Sequence, residues 1–231
     1  MNTAPIAGRR PFLERWAGLG AVLYVILFIG GSILAFGGQP DSDSAPAKVA
    51  SYFKDSGHRD KVGIGWALVI LGIFFFLWFL SALRQLLREL DPGGFLTNLA
   101  TLGGVVYATS TLTGMSLNTA VKTMSDDTYR HQVYPSLIHA ADDAGYVIHS
   151  GGGVGVGALM IAASLAAANA GRIPNWACIL GVLSGVLALG SIFFFPQALV
   201  AIWLLVAGVL VFRASGPRSP AAPVPPGPTP A

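Results

Sequence analysis

The chain has 231 residues, of which 53% are apolar and 11% charged, with a formal net charge of +3. Soluble domains carry roughly 25% charged residues, so this composition, with a mean hydropathy of +0.63, argues against an ordinary soluble domain and for a membrane protein. The Lys and Arg residues are scattered, no basic patch interleaved with aromatics occurs, and nucleic acid has no footprint.

Residues 1–16 read as a cytoplasmic N-terminal segment. Its "GRRPFLERW" resembles a twin-arginine export signal, but a full apolar span and a poor small-residue cleavage site follow, so Arg9, Arg10 and Arg15 read as the positive flank of a first anchor. A helix needs about 20 apolar residues to cross ~30 Å of hydrocarbon. Stretches near 17–36, 62–83, 95–117, 144–168, 174–193 and 197–212 meet that need, with Pro196 breaking the last long apolar run into a hairpin. The expectation is an all-α, polytopic bundle of six transmembrane helices over 17–213. A short extracytoplasmic surface helix joins it in the first loop, capped by Ser44 and presenting Val49, Tyr52 and Phe53 to the membrane surface. The Pro-rich stretch 214–231 reads as a disordered cytoplasmic tail. With both termini cytoplasmic, Arg9, Arg10, Arg15, Arg84, Arg88, Arg172, Arg213 and Arg218 fall inside and Lys48, Lys54, Arg59, Lys61, Lys122 and Arg130 outside, a bias in density that fits a multi-pass plasma-membrane protein.

The stretch "HSGGGVGVGALM" at 149–160 has a phosphate-loop composition but lacks the preceding strand and the Lys of such a loop. Its glycines instead pair at small-xxx-small spacing, Gly151 with Gly155 and Gly153 with Gly157, as in a helix-packing seam. The single cysteine, Cys178, lies in an apolar run and reads as packing. The second outer loop, from Lys122 to Ser150, holds His131, His139 and His149 with Asp126, Asp127, Asp142 and Asp143. A helix beginning near Ser136 places His139, Asp142, Asp143 and His149 on one face, a spacing that can ligate zinc or another divalent ion and equally suits a solvated acidic surface. His149 is also a candidate pH-responsive group near the membrane edge. In the third span, Thr109, Thr113 and Asn118 could line a polar cavity with His149 and Gly153, or serve helix packing.

The succession "PDSDSAPAKVASYF" after the first span, "FFLWFLSALRQLLREL" closing the second and "IPNWACILGVLSGVLAL" opening the fifth resembles a family of uncharacterised actinobacterial six-span integral membrane proteins, over residues 12–213. The resemblance implies the architecture and a bacterial membrane location, and brings no catalytic residue and no cofactor. The leading reading is a non-enzymatic membrane protein binding a small ligand, lipid or partner at its extracytoplasmic face, with a homo-oligomer or a membrane-protein partner also open. The alternatives are a small-solute transporter with a cavity between spans three and four, and a metal-dependent enzyme or metal sensor using the outer His/Asp patch.

Overall fold

A computed structural model describes residues 16–41, 43–124, 132–193 and 195–214. Residues 1–15 of the N-terminal segment, residues 215–231 of the Pro-rich tail, Asp126, Asp127, Arg130 and His131 lie outside the described residues, whereas Ala214 ends the last helix. Those described are all-helical: α1 (Gly20–Phe36), α2 (Pro46–Lys54), α3 (Ser56–Leu90), α4 (Phe95–Thr123), α5 (Pro135–Gly151), α6 (Gly153–Asn169), α7 (Asn175–Ala188), a short 3-10 turn (Ser191–Phe193) and α8 (Phe195–Ala214).

The helix starts follow local chemistry. Pro46 and Pro135 occupy the first turns of α2 and α5, where proline's missing N–H costs nothing. The Asp55 carboxylate accepts from the Gly57 N–H (2.7 Å) to begin α3, and Asp91 accepts from the Thr97 N–H (2.9 Å) in the first turn of α4. Ser44 does not cap α2 as expected, because Ala45 takes the N-cap position ahead of the proline and no side chain caps the helix. Nor does α2 turn its apolar face to a membrane: Val49 and Phe53 are buried against Val62 and Ile138 in a small core of their own. Arg59 fastens its other end, its guanidinium donating to the Phe53 and Lys54 carbonyls at 2.7 and 2.8 Å.

The helices form a ring. α1 packs on α3, α3 on α4, α4 on both α5 and α6, α6 on α7, α7 on α8, and α8 returns to α1. Glycines set several of these approaches, because bare backbones let helices touch where apolar side chains gain little over lipid. A Cβ on Gly31 would meet the Gly65 carbonyl and the reverse holds, and the same reciprocity joins Gly103 to Gly155, Gly114 to Gly145 and Gly157 to Gly185.

The expected seam is thereby corrected. Gly153 and Gly157 face α7 and Gly155 faces α4, but Gly151 meets open space and packs against nothing. The glycine run also breaks the fourth expected span into α5 and α6. Glycine supports a helix poorly, and here the Gly152 N–H bonds three residues back, to His149, before the ladder resumes.

Three stretches are long and apolar enough to cross a membrane, Ser56–Leu90, Pro135–Asn169 and Phe195–Ala214, while Gly20–Phe36 and Asn175–Ala188 are apolar but shorter. Helix α4, expected to end near 117, continues to Thr123 and is long but studded with Thr, Ser and Asn. Leu71, Phe74, Leu102, Val106, Leu183 and Ile202 stand exposed around the ring. Soluble monomers rarely expose large contiguous apolar surfaces, so these faces are compatible with a membrane protein.

Candidate functional site: a cavity between four helices

At the end of the bundle away from α2, α8 closes on α1: the rings of Trp16 and Phe212 meet edge-on at 5.5 Å, and a Cβ on Gly208 would touch the Gly18 carbonyl. Toward α2 the two helices part, and Ile29 and Ile33 stand exposed along α1. Helix α5 leans on α4 through the Gly114–Gly145 contact and does not fill the gap. The result is a partly open cavity of about 650 Å³ lined by α1, α4, α5 and α8. Tyr24 and Phe36, both in its lining, are twelve residues apart on α1, so it follows that helix for about 18 Å. Most of its wall is apolar, with Val25, Phe28, Ile33, Met115, Val200 and Leu204 contributing.

The inner end is aromatic. The Tyr24 and Tyr107 hydroxyls, both buried, share a hydrogen bond of 2.8 Å, and Phe76 packs against both rings with centroids at 5.2 and 5.7 Å. Nearby, the His149 ring stacks on Phe28 (centroids 5.7 Å) and its Nε2 lies 3.3 Å from the Gln197 amide nitrogen on α8. The other ring nitrogen, Nδ1, is buried without a partner.

The other end is polar and organised around Lys122, which is 1% exposed. Its ammonium donates to Asp142 Oδ1 at 2.8 Å and to Gln39 Oε1 at 2.7 Å, and lies 5.2 and 5.7 Å from the ring centroids of Phe36 and Phe53. Asn118, one turn before Lys122 on α4, donates its amide to the same Asp142 oxygen, and its own Oδ1 is buried without a partner. The close glycine contact between α4 and α5 is what lets these short side chains reach each other. Gln39 arrives from the turn after α1, where Gly38 sits at φ +80°, a left-handed conformation that glycine adopts without strain. Its amide donates back to the Ala35 carbonyl, which fixes the oxygen toward Lys122.

Of the residues singled out in the sequence, Asn118, Asp142, Asp143 and His149 line this cavity. Thr109 and Thr113 do not: both are exposed, on a face of α4 turned away from it. Gly153 lies in the α6–α7 contact, against Ala188 and Ser191. The expected metal constellation is not assembled. His139 is outside the cavity lining, Asp142 is paired with Lys122, and His149 is engaged by Gln197. Among the described residues no three His, Cys, Asp or Glu side chains are placed to hold a metal ion.

Sequence reasoning placed a cavity between the third and fourth spans and missed the walls supplied by α1 and α8, the Tyr24–Tyr107 pair and Lys122 itself. One signal for Lys122 was present: on a helix continued past 117 it falls four residues after Asn118 and eight after Gly114, on the same face. No family model matches the chain, and no curated protein and no solved structure matches it.

Proposed function

We propose that this is a six-span plasma-membrane protein of a bacterium, with both termini cytoplasmic, that holds a small amphipathic molecule in the cavity between α1, α4, α5 and α8 without transforming it. The observation that carries the reading is the cavity's shape and polarity: an elongated apolar chamber of about 650 Å³ with a polar cluster at one end. Ligand pockets are of this size and are apolar with a few placed polar groups that fix orientation. The proposed orientation draws on the charges. Arg84, Arg88, Arg172 and Arg213 gather at the end away from α2, whereas at the α2 end Lys48, Lys54 and Lys61 are exposed and Arg59 and Lys122 are occupied by bonds within the protein. Among these residues the available positive charge is four arginines against three lysines, a small excess at the end read as cytoplasmic.

A transporter for the same molecule is the second reading, favoured by the one tightened turn at Gly152, close to His149 in the Pro135–Asn169 stretch, because local irregularities in spanning helices recur at transporter binding sites. The first test is native mass spectrometry of gently solubilised protein beside Ser32→Trp and Ala201→Trp variants, which fill the cavity from α1 and α8. A retained small molecule that both variants lose supports the reading. Wild-type protein that holds nothing, or a molecule retained equally by the filled variants, overturns it. Uptake of the identified molecule into proteoliposomes then separates transport from holding.

A further inference from the structure

The hydrogen bonds at the Lys122 end define what the cavity would accept there, on the reading that the cavity is a binding site. Donors at this end are largely committed. Lys122 spends two of its three protons on Asp142 and Gln39, the Asn118 amide goes to Asp142, and the Gln39 amide goes to Ala35. Acceptors are in surplus. Asn118 is 8% exposed and its Oδ1 has no partner. Among the described residues no protein donor is bonded to the second oxygen of Asp142, which is half-buried, or to Asp143, which is exposed at the rim, and both carboxylates line the cavity.

The charge count agrees. Asp142 is paired with Lys122, and Asp143, exposed at the rim, adds a negative charge that no other charged residue of the lining pairs, with His139 nearby outside the lining. The ammonium is also unsuited to an incoming anion, since it is buried, already paired and flanked by the Phe36 and Phe53 rings. A group that donates several hydrogen bonds and carries positive charge completes the set, and an ammonium does both. Tyr146, one turn beyond Asp142 and Asp143 on α5, also lines the cavity and adds an aromatic surface of the kind that attracts cations.

We infer that the cavity binds an amphiphile with a protonated amine head, the head lodged among Asp142, Asp143 and Asn118 and a single apolar chain running along α1 toward Tyr24. A free alkylamine and the ethanolamine head of a lipid share this chemistry.

The test offers decylammonium, decanol, decanoate and a decyl-chain lysophosphatidylethanolamine at equal mole fraction to the full chain in nanodiscs, and counts bound molecules by native mass spectrometry. Wild type should retain the amine-headed compounds about ten-fold or more over decanol and decanoate, as expected for hydrogen bonds to charged groups. Asp143→Asn, which leaves the Lys122–Asp142 pair intact, should reduce that preference about three-fold or more while decanol binding persists. Ala201→Trp should remove all four. Preference for decylammonium assigns the amine to a free molecule, and preference for the lysolipid assigns it to a lipid head. Equal binding of amine and alcohol, preference for decanoate, or an Asp143→Asn variant as selective as wild type overturns the inference while leaving the cavity a binding site. Failure of all four to bind, or binding indifferent to Ala201→Trp, overturns both readings.

Discussion

Gly103 and Asn118 lie on one helix, about 22 Å apart along its axis, in opposite surroundings. At Gly103 the backbone of α4 touches that of α6, and a single added carbon would strike the Gly155 carbonyl. At Asn118 the same helix faces a cavity, and its side chain keeps an unpartnered oxygen beside a buried ion pair. Both halves of α4 have a backbone contact, with α6 at Gly103 and with α5 at Gly114, but only the second half also faces an open space toward α1 and α8. The lesson is that small residues and polar residues here do different work: the glycines bring α4 and α5 together, and the cluster around Lys122 bonds across that seam and, through Gln39, reaches the turn after α1, which no glycine contact brings to α4.

The comparison breaks most directly at the closed half. Gly155→Val should lower stability by about 3 kcal/mol or more, because overpacking is costly and the atoms met are backbone. Thermal melts of the solubilised protein measure this, and an unchanged midpoint would show the α4–α6 contact to be looser than described. The open half should respond asymmetrically. Asp142→Asn strands an ammonium that is 1% exposed, whereas Lys122→Met strands a carboxylate that is 33% exposed and hydrates through the cavity. The first should cost about 2–3 kcal/mol, below the full penalty for breaking a buried pair because Asp142 is partly solvated, and the second about half as much. Equal losses would mean that the pair is solvated evenly. Between the two halves, Tyr24→Phe leaves the Tyr107 hydroxyl with one partner fewer and should cost about 1 kcal/mol, read from the same melts. The smallest effect separates two neighbouring glycines. Gly151 faces open space, so Gly151→Ala should stabilise by about 0.5 kcal/mol through helix propensity, while the same change at Gly153 meets Ala188 and destabilises.

How much of this the sequence discloses depends on the range of each interaction. Helical class and apolar stretches are legible because they follow from composition and local runs, and Pro46, Pro135 and Pro196 mark helix starts by their own geometry. The glycines of 151–157 are legible as a packing motif, but which neighbour each one meets depends on how the helix turns at Gly152, and that is a tertiary outcome. Asn118 and His149 stand out as polar groups at the edges of apolar runs. Lys122 does not, because a solvated lysine near a loop and a buried one read the same until the partners are known. One partner, Gln39, is 83 residues away, and the two tyrosines of the inner end are separated by the same distance in sequence. The cavity itself has no local signature, since it is the space left where α1 and α8 diverge.

Helix α2 carries a consequence for how any occupant arrives. It is held by Val49 and Phe53 in a small core of its own and by Arg59 at its last turn, with the Phe53 ring 5.7 Å from the Lys122 ammonium, so it packs behind that end of the cavity. The cavity also opens sideways between α1 and α8, where Ile29 and Ile33 are exposed, and an occupant of a membrane-embedded protein that enters there comes from within the plane of the bilayer. The dose that governs occupancy is then the occupant's mole fraction in the lipid, not its molarity in water. A molecule scarce in solution but soluble in membranes would fill the cavity, and its apparent aqueous affinity would drift with the amount of lipid in the assay.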